Sequence, residues 1–426
     1  MKIAAKPGFH PVLTWQRALL LFTALIVAAA LCLYLAATAF PSIGAQGADS
    51  LRAIIGDKAV AQLETWIFQV QDNIQQVKYN LGIEKAASPW QLPSPAPLVA
   101  AVFQELPPSP TPTAEPSATP LPQATAAPSA TAAPTTTPGP TVTPTPKPWR
   151  PAAAHALGSL EGEGIWQSYI KDPKGQTVAY RTFIQPDPKR PYTMVAVVAF
   201  DLTKTRLGLV LGFDEPSVKD GPKGSGLIPT SDAQSGALLA TFNGAFKAQH
   251  GNYGAMAQGL VALPLKKGLA TIVMYKDGSI KIGEYGKDIV SVENSIAWRQ
   301  NCSLIIENGQ INPLVNNDSA EFWGANLNGE TVTWRSGIGI SPDGKTLYYF
   351  AGPNMMMSVL AAAMQAVDVK SSMQLDINNY WVHFVAVRNQ SGKNIPDPLF
   401  PDDMKADIGR YLTKYSRDFF YVALKE

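Results

Sequence analysis

Apolar positions along this chain fall into three regimes. Ala18–Phe40 is a nearly unbroken apolar run of 23 residues. At about 1.5 Å rise each, a helix of that length spans roughly 34 Å, enough for a bilayer core. Further on, Val60, Leu63, Ile67, Val70, Ile74, Val77 and Leu81 are spaced 3, 4, 3, 4, 3, 4, the period of a coiled-coil seam. With Asp49-Ser50 as N-cap, this predicts an amphipathic helix over residues 49–82. From about residue 155 the pattern changes to short apolar runs cut by turn residues. Thr193–Phe200 and Arg206–Leu211 read as adjacent strands. Asp277-Gly278 between Thr271–Tyr275 and Ile280–Glu284 is a hairpin signal, as is Asn308-Gly309 between Ser303–Glu307 and Gln310–Leu314. Ser341-Pro-Asp-Gly344 joins Gly337–Ile340 to Thr346–Phe350, and Phe419–Leu424 is a final strand. Helical spacing is seen in Met357–Val367, and a second helix fits Pro401–Thr413. Few helices among many strands, with no regular βαβ alternation, predict an α+β domain with a mixed β-sheet.

Composition adds a boundary. Residues 93–148 hold 17 of the 36 prolines, and only Glu105, Glu115 and Lys147 carry charge there. Such a segment buries too little to offset its ordering entropy. It reads as an extended Pro/Thr-rich linker reaching at most on the order of 170 Å. The organisation expected is a cytoplasmic tail (1–17), a transmembrane anchor (18–40), a helical stalk (49–82), a disordered linker (93–150) and a folded domain (155–426).

Charge sets orientation. Lys2, Lys6 and Arg17 precede the apolar run, and no charged residue occurs between Arg17 and Asp49. The positive-inside rule then places the N-terminus in the cytoplasm and the C-terminal domain outside a bacterial cell membrane. A cleaved signal peptide, with Ala37-Thr38-Ala39 as its small-residue site, is the competing expectation. The 60–81 seam suits self-association, and the same amphipathic helix would suit a membrane surface. The net charge of +2 is scattered over both signs, which argues against a nucleic-acid partner. Cys32 lies inside the apolar run, so no disulfide with Cys302 is expected, and the four histidines lack metal-ligand spacing. Met355-Met-Met357 fits core packing better than a thioether metal site.

Candidate chemistry lies in three stretches where an apolar run meets a polar group, with glycine beside it in the first two: Leu239–Phe246, Trp334–Ile340 and Met373–Asp376. Asn243, Arg335 and Asp376 could deliver an amide, a guanidinium and a carboxylate to one pocket; three ordinary strand ends is the alternative. His250 and His383 are candidate proton carriers close in sequence to these loops. Asp376, Asn378 and Asn379 form an oxygen-rich cluster that would accept calcium, without the spacing of a recognised loop. No cofactor is otherwise expected.

At these residues the chain resembles the phosphodiester glycosidase family. Its strand ending Asn-Gly-Gly-Phe-Phe is matched by Asn243-Gly244-Ala245-Phe246-Lys247. Its Gly-rich loop is matched by Gly251-Asn-Tyr-Gly254 and Gln258-Gly259, and its Arg-Thr-x-x-Gly strand by Arg335-Ser336 and Gly339. Its Leu-Asp-Gly-Gly-Gly-Ser motif corresponds to Leu375-Asp376-Ile377-Asn378-Asn379-Tyr380, where the glycine triplet and the serine are replaced. The resemblance covers roughly residues 160–426. It implies a hydrolase of a sugar-1-phosphodiester in envelope or exopolysaccharide material. Asp376, Arg335 and Asn243 would be catalytic, and Gly244, Gly254, Ser336, Asn378, Asn379, His250 and His383 would line the substrate. A domain that binds glycan or wall polymer without turnover is the alternative that the altered motif favours. A structural surface protein is a third.

Overall fold

The computed structural model describes residues 50–52, 54–92, 148–234, 236–316 and 330–425, with Leu20, Gly47 and Trp323 as isolated positions. Apart from Leu20, the predicted membrane span lies outside them. Among the described residues no helix is long and apolar enough to cross a membrane.

The folded part is mostly β, in three sheets. An eight-stranded sheet has the order β1 (Gln167–Lys171), β2 (Thr177–Ile184), β3 (Val195–Asp201), β14 (Thr346–Met355), β13 (Thr333–Ile340), β15 (Ser371–Ile377), β11 (Leu304–Glu307), β12 (Gln310–Ile311). A second has the order β17 (Lys393–Pro398), β16 (Phe384–Gln390), β5 (Leu238–Asn243), β18 (Phe419–Leu424), β4 (Thr205–Val210). A third runs β7 (Leu260–Leu263), β6 (Ala255–Ala257), β10 (Ser295–Asn301), β8 (Ala270–Tyr275), β9 (Ile280–Glu284). Every pairing between these strands is antiparallel.

Both faces of the first sheet are covered, so β3 is buried at every residue rather than at alternate ones. One face packs against the second sheet through aromatic rings. Phe242 lies 4.7 Å from Tyr349 and 5.9 Å from Phe384, and Phe200 lies 6.2 Å from Phe384. Each such buried ring contributes about 1.5–3 kcal/mol. The other face carries the helix Met357–Gln365, whose Leu360 and Met364 are wholly buried. The glycines of Trp334–Ile340 make room for it. A Cβ at Gly337 would meet Met364 Cε at 2.3 Å, and one at Gly339 would meet Val369 Cγ1 at 2.8 Å.

The hairpins, the helix from Met357 and the final strand form where the pattern placed them, except that the arm expected over Gln310–Leu314 is only Gln310–Ile311 before a 3-10 turn and the helix ends at Gln365. Two further expectations change. The β3 and β4 strands are not neighbours, because the chain crosses at 202–204 from the first sheet to the second. Pro401–Thr413 is not a helix: it holds turns and one 3-10 turn, Arg410–Leu412. Asp407 takes a left-handed φ of 51° there, and Gly409 weakens the run further, so neither continues a helix.

The amphipathic segment forms the helix Asp57–Asn80, starting after Gly56 at φ 85°. It lies against the domain. Arg190 grips the Asp72 carboxylate with Nε at 2.7 Å and Nη2 at 2.6 Å, and Tyr79 packs on Tyr192 at 5.4 Å. The residues flanking the Pro/Thr segment both return to β2. Trp90 packs edge-on against Phe183 at 6.1 Å beneath Arg181, and Trp149 meets Tyr180 at 5.7 Å. Tyr180 and Phe183 are about 10 Å apart along the strand and face opposite sides of it.

Candidate functional site

Strand ends from both layers of the sandwich meet at one edge. Asn243 ends β5 and is buried. Its Nδ2 donates to the Gly244 carbonyl and to Ser336 Oγ, both at 2.9 Å. Its Oδ1 accepts from the Tyr349 hydroxyl at 2.9 Å and the His383 amide at 3.2 Å. Two donors and two acceptors are thus all used within the protein, and Asn243 acts as a strut between the sheets. Ser336 Oγ continues the link, accepting from the Asp376 amide and donating to the Asp376 carbonyl, both at 3.1 Å.

Arg335 does not join them. Gly337 on β13 faces Gln374 on β15, whereas Arg335 faces Ile377. Ser336 therefore opposes both Leu375 and Asp376, a β-bulge. In regular register Asp376 would stand opposite Arg335 and share its face. The bulge turns Asp376 to the sandwich side instead, while Ile377 packs toward the helix. Arg335 is fully buried on that helix side, donating to the Met355 and Thr331 carbonyls at 3.0 and 2.8 Å and to Gln374 Oε1 at 2.9 Å. Burial lowers its pKa to about 10.

The guanidinium beside Asp376 belongs to Arg417, just before β18. Its Nη2 donates to Asp376 Oδ2 at 2.6 Å and to the Ala245 carbonyl at 3.1 Å. Its Nε and Nη1 make no hydrogen bond among the described residues. Burial opposes the Arg417 charge, but Asp376, Tyr415 and Asp418 more than offset it and move its pKa up. Burial also dominates at Asp376 and raises its pKa to about 6 against the pull of Arg417 and of the Ile377 amide on Oδ1 at 2.8 Å. Trp381 caps the pair, with the Arg417 guanidinium 4.2 Å and the Lys247 ammonium 5.1 Å from its ring centre. Glu215 stands within electrostatic reach of Arg417 and Lys247, accepts from the Ala248 amide at 3.0 Å, and has its pKa raised by burial.

Asp418 supports this edge from below. Its Oδ2 accepts from Arg299 Nε at 2.9 Å and from the Ala245 amide at 3.1 Å. Gly244 is required for that approach, since a Cβ there would stand 2.1 Å from Asp418 Oδ2. Arg299 is wholly buried and pins the following loop through the Phe246 carbonyl at 2.6 Å and the Tyr253 carbonyl at 3.1 Å. Gly254 is held in the same way by packing, its absent Cβ leaving room for Gln300 Oε1 at 2.6 Å.

Asn378 takes φ 80°, and its Oδ1 accepts from the Tyr380 amide at 2.9 Å. An asparagine thus supplies the left-handed turn that glycine favours; Asn379 beside it is exposed. His383 is buried with Nε2 3.1 Å from the Met404 carbonyl, and burial together with Arg410 lowers its pKa to about 3. It is neutral at any ordinary pH, with its Nε2–H donating to that carbonyl, so it does not act as a proton carrier. His250 is half-buried in the turn Ala248–His250, edge-on to Phe246 at 6.3 Å. Among the described residues no three His, Cys, Asp or Glu side chains are grouped as metal ligands.

Arg417, Asp418, Arg299, Glu215 and Trp381 were not picked out in the sequence. A signal existed for the first two: Arg417-Asp418 is a polar pair at the start of an apolar strand, although without the adjacent glycine seen at Asn243.

No protein-family model and no curated protein matches this chain. Among solved structures, it is similar to the zebrafish N-acetylglucosamine-1-phosphodiester alpha-N-acetylglucosaminidase catalytic domain auto-inhibited by its pro-peptide. The identity is 14%, the TM-score 0.37, and the match covers 64% of this chain and 87% of that one. It is also similar to a hypothetical protein from Synechocystis at 10% identity and TM-score 0.32, covering 61% of this chain and 64% of that one.

Proposed function

We propose that this chain is a membrane-anchored, extracytoplasmic hydrolase that cleaves a sugar-1-phosphodiester in bacterial envelope material. One observation carries the proposal: a buried carboxylate of pKa about 6, Asp376, lies 2.6 Å from a guanidinium whose Nε and Nη1 are unused among the described residues, beneath an aromatic face. Phosphate is a good leaving group as an anion, so the needs are an anion clamp and a carboxylate for water or for the sugar cation. Arg417, with Lys247 beside it, replaces Arg335 as the clamp, because a planar fork suits phosphate oxygens. Asp376 acts as base or charge stabiliser, Glu215 is the second carboxylate, and Trp381 offers an apolar face to a sugar ring. The ordered resemblance of Asn243-Gly244, Arg335-Ser336 and Leu375-Asp376 to the glycosidase motifs supports the same reading.

The test is turnover of a chromogenic sugar-1-phosphodiester by the full chain. Turnover lost in Asp376→Asn and in Lys247→Ala, with melting temperature retained in the latter, supports the enzyme. Absence of turnover across a panel of sugars rejects it. A glycan-binding domain without turnover is the second reading, favoured by Ile377-Asn378-Asn379 in place of the glycine triplet and by the saturated hydrogen bonding of Asn243. Binding to envelope polysaccharide with no product would select it.

A further inference from the structure

We propose that a second copy of this chain covers the exposed apolar seam of the helix Asp57–Asn80. The side that docks on the domain is marked by Asp72 and Tyr79, which meet Arg190 and Tyr192. Leu63, Ile74, Val77 and Leu81 remain 41%, 39%, 55% and 69% exposed. At 3.6 residues per turn their mean direction lies roughly 170° around the helix from Asp72 and Tyr79. The domain therefore covers one side of this helix and leaves Leu63, Ile74, Val77 and Leu81 of the seam exposed, with Ile67 and Val70 half-buried between them and Val60 buried at its start.

The repeat identifies the occupant. A 3.5-residue period keeps a seam facing a partner only when that partner is another helix supercoiled with it. A lipid surface selects for a broad 3.6-residue face instead. The positions flanking the seam are Glu64, Trp66, Gln71, Asn73, Lys78 and Asn80. In-register parallel pairing sets no like charges opposite each other, and an antiparallel pairing centred on Gln71 sets Lys78 opposite Glu64, which Arg52 already holds at 2.6 Å in the monomer. Docking also fixes the helix before any partner arrives. The ordering cost that makes short isolated coiled coils marginal is thereby already met within each monomer.

The experiment is sedimentation of the full chain in detergent over a range of protein concentrations, for wild type and for Leu63→Glu/Val77→Glu. The wild type should be a dimer. The double variant should dissociate with a Kd raised roughly a hundredfold or more, because each acid would be buried in the seam. Its melting temperature as a monomer should not change, since both side chains face solvent there; Ile74→Ser/Val77→Ser serves as the milder pair should the acids lower it. A wild type that stays monomeric, or a dimer that neither pair weakens, overturns the proposal. So does a monomer whose Val77→Cys thiol is shielded from a water-soluble maleimide by phosphatidylglycerol vesicles, which would assign the seam to lipid.

Discussion

Asp376 shows how one residue's environment sets its chemistry. In an unfolded chain an aspartate titrates near about 3.9; here burial moves it to about 6. The folded state holds the proton more tightly, so this group's contribution to stability is full below about pH 4 and is lost as pH rises through about 6. Catalysis by the carboxylate runs the other way. The expected profile of kcat/KM rises with pH and levels above about 6, and Asp376→Asn should abolish the turnover. Arg417→Ala leaves that carboxylate buried without its cation. We expect a loss of about 3–5 kcal/mol in denaturant unfolding and an Asp376 pKa displaced upward, readable by NMR titration. Arg335→Ala should cost stability of a similar order, with no change in the pH profile of whatever protein folds.

At the scale of elements, the β15 bulge and the glycines decide who meets whom. Gly337 and Gly244 look alike in the sequence, each beside a polar residue of interest. Their neighbours differ. The Cβ of Gly337→Ala would meet the flexible end of Met364, whereas that of Gly244→Ala would meet a carboxylate held by Arg299. Gly337→Ala should therefore cost about 1–3 kcal/mol in thermal unfolding. Gly244→Ala should exceed that and disturb the Asp418–Arg299 pair. Equal costs would mean that Asp418 can step aside. Element existence was legible because hairpin turns and apolar runs are local signals: Asn308-Gly309 and Phe419–Leu424 both formed as the pattern indicated. The bulge was not legible, since one extra residue in β15 leaves no mark on the alternation of Met373-Gln-Leu-Asp376.

At the scale of the whole molecule, the helix that reads as a free stalk is a docked part of the domain. Asp72, Arg190 and Tyr192 hold it, and the ion pair is only 8–12% exposed at its side chains. Asp72→Ala should lower stability by about 1–3 kcal/mol, and limited proteolysis should then cut within 57–80 before it cuts the sheets. Unchanged protection would show that apolar contacts such as Tyr79 with Tyr192 suffice to hold the helix. Trp90 and Trp149, which flank the Pro/Thr segment in the sequence, both pack on β2.

The order of apolar and polar residues alone determined most of the strands and the helix from Met357, though not the structure of 401–413, and it offered Asn243, Arg335 and Asp376 as strand-end groups for one pocket. Those are consequences of local periodicity and of turn residues at fixed offsets. Tertiary structure alone decided that Arg417 rather than Arg335 stands beside Asp376. It also decided that Asp418 fills the space left by Gly244, and that the 57–80 helix leaves Leu63, Ile74 and Val77 of its seam exposed. Each of these depends on pairing register or on contact between residues far apart in the chain, and a linear sequence carries no local record of either.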